Sequence, residues 1–134
     1  MTATLPSEAL PVLDAPEFAT IATINPNGYP HLSVVWIERD GNDLLVSTIR
    51  GRRKFLNMEA DPKVTVLVFP KDNPYSYVEV RGTVTMTEEG GRELIDRLNE
   101  AYTGTGRYTG DDGTDNVRVV CRITPEKVVT RLPH

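Results

Sequence analysis

The sequence predicts a mainly β fold of the α+β class: a barrel of short, hairpin-linked strands carrying two or three helices. Three observations lead there. Apolar and polar residues alternate with period two in about six short runs. Clusters of Gly, Asn, Asp and Pro separate those runs at hairpin spacing. Only one long segment, Glu88–Tyr102, keeps a sustained helical spacing, through Leu94, Ile95, Leu98, Ala101 and Tyr102.

Taken in order, Ser7 is placed to cap a short helix running to Leu13, with Glu8 in its first turn and Pro11 limiting its length. Glu17–Asn25 alternates, with Phe18, Thr20, Ala22 and Ile24 on one face. Asn25-Pro26-Asn27-Gly28 is a turn, because Asn-Gly accommodates positive φ. Pro30–Glu38 reads as one return strand, Asp40-Gly41-Asn42 as a second turn and Asp43–Ile49 as a third strand, an antiparallel meander. Arg52–Ala60 reads as a short helix closed by Asp61-Pro62. Lys63–Phe69 is apolar enough for a central strand, and Tyr75–Thr87 is a long one with Gly82 at a bulge or bend. Glu88 and Glu89 suit the N-terminal end of the following helix. Gly104–Asp115 is a Gly-rich mobile loop, and Asn116–Thr124 and Glu126–Arg131 supply the last β segments.

The chain of 134 residues suits a single domain, 1–134, with no linker, repeat or low-complexity tail. A net charge of −4 argues against a general nucleic-acid surface. The single cysteine, Cys121, excludes an intrachain disulfide and a Cys-rich metal site, and its plain reading is a small strand residue. No metal constellation is visible among two histidines, of which His134 is terminal and expected to be disordered. With no long apolar run and no signal-peptide pattern at the N-terminus, the expected location is cytoplasmic, away from membranes.

Against that acidic background the stretch STIRGRRKFLN concentrates Arg50, Arg52, Arg53 and Lys54 within five positions. Cations in a first helical turn oppose the helix dipole and its unpaired N–H groups, unless an anion lies between them. A phosphate removes the conflict. The competing reading is a solvated basic face paired with Glu59 or Asp61. The glycines of GTGRYTG at 104–110 do not make a phosphate loop, since no strand leads into them and no Lys-Ser/Thr follows.

The pieces FATIATINPNGYPHLSVVW, LLVSTIRGRRKFLNMEADPKVTVLV, YSYVEVRGTV and RVVCRITPEKVV, in that order, resemble the flavin-binding split β-barrel proteins related to pyridoxamine 5'-phosphate oxidase. Within that superfamily the chain is similar to the small actinobacterial branch that uses the deazaflavin coenzyme F420. The resemblance covers residues 15–130. It implies an FMN-binding-type split barrel with Greek-key topology, a homodimer, and a cofactor in each groove between the chains. By the same resemblance Ser33, Val34 and Val35 lie along the cofactor ring. Ser47 and Thr48 contact the ring and ribityl chain, Arg52, Arg53 and Lys54 clamp the phosphate, and Asn57 follows on the same helix. Tyr75 and Tyr77 come to the cofactor from the partner chain. Four cations exceed the need of one phosphate, so the longer, glutamate-tailed F420 is expected over FMN, with Arg50 the outermost member.

The resemblance further implies a reductase that passes a hydride from reduced deazaflavin to an activated double bond of a small organic molecule. The catalytic proton donor is unassigned; His31 and Tyr77 are the candidates beside water. His31 reads otherwise as a strand residue at the barrel rim, and Trp36 as core or dimer packing. An FMN-dependent oxidoreductase of the same fold and a non-catalytic cofactor- or haem-binding module are the alternatives. Vitamin B6 oxidation is not expected, because the chain ends at RLPH without the C-terminal segment that holds that substrate's phosphate.

Overall fold

The computed structural model describes residues 2–132, so the expectation for His134 lies outside it. Seven strands form one sheet: β1 Ala19–Ile24, β2 Pro30–Val35, β3 Ile37–Asp40, β4 Asp43–Ile49, β5 Lys63–Val68, β6 Tyr77–Thr87 and β7 Arg118–Arg131. Three helices accompany them, α1 Leu10–Asp14 (entered through a 3-10 turn at Ser7–Ala9), α2 Arg53–Ala60 and α3 Gly91–Thr103. The strand order is β2-β1-β5-β6-β7-β4-β3, and every neighbouring pair is antiparallel. The two outermost strands, β2 and β3, are consecutive in the chain with only Trp36 between them. That link ties the sheet's edges together and curls it into a split barrel. Within it β4-β7-β6-β5 is a Greek key whose long connection carries α2.

The expected return strand Pro30–Glu38 is therefore two strands. Its alternation runs unbroken through the division, since Val35 and Ile37 are both buried while Leu32 and Val34 are exposed. What changes at Trp36 is the partner: β2 pairs with β1 (Thr20↔Val34) and β3 with β4 (Ile37↔Val46). The flat meander is replaced by a turned corner. On β1 it is Ala19, Ile21 and Thr23 that face the core, and Phe18 is 65% exposed.

The last two β segments are one strand. Pro125 lacks an N–H for the ladder and is accommodated opposite Gly82, where the β6–β7 register shifts between Arg81 and Gly82. A side chain at Gly82 would run into the Thr124 carbonyl. Helix α3 starts at Gly91, three residues later than expected. Gly90 is its N-cap with φ 81°, a backbone region that glycine enters freely, so Glu88 and Glu89 precede the helix and Glu93 is the acid in its first turn. Ser7 makes no capping hydrogen bond.

Inside the barrel Ile21, Leu44, Val46, Val66, Val80 and Ile123 are fully buried, each contributing about 1.5–3 kcal/mol by burial. Cys121 lies among them, and burial pushes its thiol up to about 12, so it stays a protonated packing residue. A second cluster, Leu45, Leu94 and Leu98, packs α3 on the sheet beside Trp36, Tyr102 and Val120. Among the described residues no helix is long and apolar enough to cross a membrane.

Candidate functional site

The division at Trp36 opens the sheet. The β3–β4 ladder ends at Ile37↔Val46, so Ser47, Thr48 and Ile49 pair with β7 on one side and carry no strand on the other. A cavity of about 410 Å³ lies there, walled by His31 from β2, Ser47–Ile49 from β4, Arg52–Lys54 at the head of α2, Arg118 from β7, and Tyr108, Gly110, Asp111 and Asn116 from the loop before β7. A side cavity of about 190 Å³ shares Ser47, Lys54, Tyr108 and Arg118 with it and continues between Val34, Val35, Trp36, Ile95 and Leu98.

Helix α2 is aimed at this opening by a tight turn. Gly51 has φ 90°, and the Arg52 N–H donates to the Ile49 carbonyl at 3.1 Å. Arg52, the N-cap, is extended (φ −68°, ψ 161°) and supplies no side-chain cap, and no acid occupies the first turn. The helix's first N–H groups are thus left for a ligand. Arg52 and Arg53 are exposed and Lys54 is half-buried. Among the described residues none of the three forms an ion pair, and neither Glu59 nor Asp61 takes the cluster's charge. Lys54 Nζ donates only to Ser33 Oγ, at 3.2 Å. Burial holds the Lys54 ammonium below the ordinary lysine range, the charges of Arg52 and Arg118 push the same way, and the Cys121 thiol opposes them.

Two buried polar atoms on the cavity wall have no partner among the described residues, His31 Nδ1 and Thr48 Oγ1. Buried polar atoms are ordinarily satisfied, so two orphans facing one opening fit a ligand that completes them.

The fourth wall is the loop that the sequence reading set aside. Asp111 is its hub: Arg118 Nε donates to Oδ2 at 2.7 Å and Nη2 to Oδ1 at 3.1 Å, while Asn116 Nδ2 donates to Oδ1 at 2.9 Å and Arg92 Nη1 to Oδ2 at 3.3 Å. The Arg118 hydrogen bond, outweighing burial, holds the Asp111 carboxyl below the usual carboxylate range. The Arg118 guanidinium lies over the Tyr108 ring, 5.0 Å from its centroid. Tyr108 is tied down by its N–H to Asp96 Oδ1 at 2.8 Å and by its carbonyl to Arg92. The signal available in the sequence was length: a loop of this size without regular structure inside a compact fold is usually functional.

The chain matches the family model described as pyridoxamine 5'-phosphate oxidase over residues 5–131. It belongs to that family. A solved structure named F420 reductase is 29% identical, with TM-score 0.82, covering 93% of this chain and 98% of that one. A conserved hypothetical protein of Mycobacterium tuberculosis is 25% identical, with TM-score 0.78 and coverage of 99% and 91%. A putative pyridoxamine 5'-phosphate oxidase of Listeria innocua, 19% identical over 92% and 94% of the chains with TM-score 0.71, shares the fold. Membership of the pyridoxamine 5'-phosphate oxidase family fixes the barrel, while the reaction has to be argued from the residues of the opening.

Among the residues that the family resemblance singled out, His31, Ser47, Thr48, Arg52, Arg53 and Lys54 wall the main cavity, and Val34 and Val35 the side cavity. Ser33 reaches the site through Lys54. Asn57 is buried beneath the helix, and its Nδ2 donates to Thr23 Oγ1 and Asn25 Oδ1, both at 3.0 Å, fastening α2 to the end of β1. Arg50 turns away, pairs with Glu88, and borders a separate depression with Phe55, Glu59 and Met86. Tyr75, 79% exposed, lies in the loop before β6, and Tyr77 begins that strand opposite Arg131. Neither lines the two cavities of its own chain.

Proposed function

We propose that the protein binds coenzyme F420 in the opening of the barrel and acts as a reductase, directing hydride to an activated double bond of a small organic molecule. One observation carries this reading: three cations without carboxylate partners surround the unpaired N–H groups of α2, beside two orphaned buried polar atoms. That arrangement fits a phosphate ester whose attached polar ring reaches into the barrel. The 29% identity to a structure named F420 reductase supports the deazaflavin over other cofactors.

When bound, the deazaflavin supplies the hydride at its C5 carbon. The protein's part is to hold and orient. Arg52, Arg53 and the α2 N–H groups hold the phosphate. Lys54 adds a desolvated charge, whose interaction is stronger than a surface lysine's. Thr48 Oγ1, His31 Nδ1 and the free edge of Ser47–Ile49 offer hydrogen bonds to a polar ring edge. His31 is the candidate to return a proton from this chain, and Tyr77 from a second one.

A second copy has a place to dock. The outward face of β2 presents Leu32 at 63% and Val34 at 68% exposure, near Tyr29 at 72%. Covering that face in a homodimer would enclose the side cavity and bring the partner's tyrosines to the site. The assembly would work in the cytoplasm on a small-molecule substrate.

The FMN reading has one observation in its favour. Glu88 already holds Arg50, the cation expected to meet the glutamate tail of F420. Titrating the purified protein with F420 and with FMN at low and high salt separates the two. F420 should bind tighter, with salt narrowing the gap. Tighter FMN binding at both salts would sink the deazaflavin assignment.

A further inference from the structure

The side cavity has a chemistry of its own. Its body is apolar, formed by Val34, Val35, Trp36, Ile95 and Leu98. Its mouth, shared with the main cavity, holds two cations with donors to spare. The Nε–Nη2 edge of Arg118 is engaged by Asp111, but Nη1 meets only Ser47 Oγ, at a long 3.4 Å. Lys54 Nζ uses one of its three donors, on Ser33. Asp111 does not cancel this pull, because both its oxygens are taken up by Arg118, Arg92 and Asn116.

We propose that this side cavity is the subsite for a small apolar carboxylic acid, an enoate in the reductase reading, with its carboxylate on Arg118 Nη1 and Lys54 Nζ and its hydrocarbon body against Trp36, Ile95 and Leu98. A neutral guest would leave the desolvated donors unmet, and a doubly charged phosphate is better served at α2. The volume of about 190 Å³ limits the body to a short chain or a single ring. As an acceptor site the subsite rests on the proposed reductase function; as an acid-binding pocket it stands alone.

The molecule carries its own reporter, since Trp36 is the single tryptophan and stacks on Tyr102 at 5.3 Å between ring centroids. Cofactor-free protein is titrated with trans-2-hexenoate and with its methyl ester, following tryptophan emission. The acid should bind at least about tenfold tighter than the ester, the scale of one charge-assisted hydrogen bond. Arg118→Gln should bring the two to parity, and saturating F420 should leave acid binding in place. Equal affinity of acid and ester in the wild type, a silent Trp36, or displacement of the acid by F420 would each overturn the proposal, the first two without needing any variant to fold. A parallel F420 titration keeps the two readings apart. F420 binding without acid binding removes the subsite alone, and acid binding without F420 binding supports the pocket while removing the reductase.

Discussion

The division of the strand at Trp36 leaves two gaps in the barrel, and they are treated oppositely. Beside β3 the gap is sealed. The Ile37 N–H donates to Tyr102 Oη at 3.0 Å, and Tyr102 Oη–H donates to the Glu17 carbonyl at 2.7 Å. The charges there are matched too, Arg39 to Asp14 and Arg97 to Glu38, each through two hydrogen bonds. Beside β4 the gap is open. Thr48 Oγ1 and His31 Nδ1 lack partners, and Arg52, Arg53 and Lys54 lack carboxylates. One chain thus completes its polar bookkeeping at one gap and suspends it at the other. The incompleteness, more than the number of charges, marks the binding side.

The contrast can be broken by exchanging what the two gaps lose. The largest effect is expected at the open gap. Lys54→Ala should weaken binding of the phosphate-bearing cofactor by about tenfold to a hundredfold, or roughly 1.5–3 kcal/mol. Thermal stability should stay level or rise, because a desolvated ammonium is lost. Fluorescence titration together with a melting curve reads both. Unchanged affinity would turn the cluster back into a solvated face.

Tyr102→Phe should do the reverse. It removes the hydroxyl that satisfies Ile37 and Glu17, costing about 1–3 kcal/mol of stability with cofactor affinity unchanged. Denaturant unfolding would check the first half of that statement and titration the second.

A pH series sharpens the comparison. Lys54 binds an anion only while protonated, and its folded-state value lies below the ordinary lysine range, near 10.4. Affinity should therefore be full at neutral pH and fall as pH rises through that lowered value, earlier than an ordinary lysine would allow. Lys54→Arg should abolish the fall within the accessible range, and an unaltered profile would remove Lys54 from the clamp.

The smallest effects belong to exposed, paired arginines. Arg97→Gln at the sealed gap should change stability by about 0.2–1 kcal/mol and affinity not at all, since solvent screens such pairs. Arg50→Ala should behave alike if Glu88 keeps the side chain. A selective loss of F420 over FMN binding in that variant would instead show the tail reaching it.

Much of this was legible in the sequence, for reasons that can be named. Strand β4 was read with its true bounds, Asp43–Ile49, because a tight turn precedes it and Gly51 follows it. The bulge at Gly82 and the cation cluster at the head of α2 were equally plain, since both depend on local residue types. The break at Trp36 was hidden because side chains keep alternating while the pairing partner changes, and pairing leaves no mark on a single strand's pattern. The loop wall was hidden for a related reason. Its Gly and Asp content resembles a solvated linker, and its order comes from Arg92, Asp96 and Arg118, which lie outside the loop. Asn57 was assigned toward the ligand by resemblance, whereas its hydrogen bonds run to β1.

The pairing of β4 with β7 bears also on time. Ile49 meets Arg118 across that ladder, and Arg118 reaches Ser47, 71 positions earlier in the chain. Closing so long a segment is entropically costly before any contact rewards it, so sheets built on distant pairings fold slowly. Local hairpins such as β1–β2 and β3–β4 can form early, yet neither contains the opening. The cavity acquires its Arg118 wall only once β7 has docked, so binding competence should be among the last properties a newly made chain gains, and refolding followed by ligand binding should lag refolding followed by strand content.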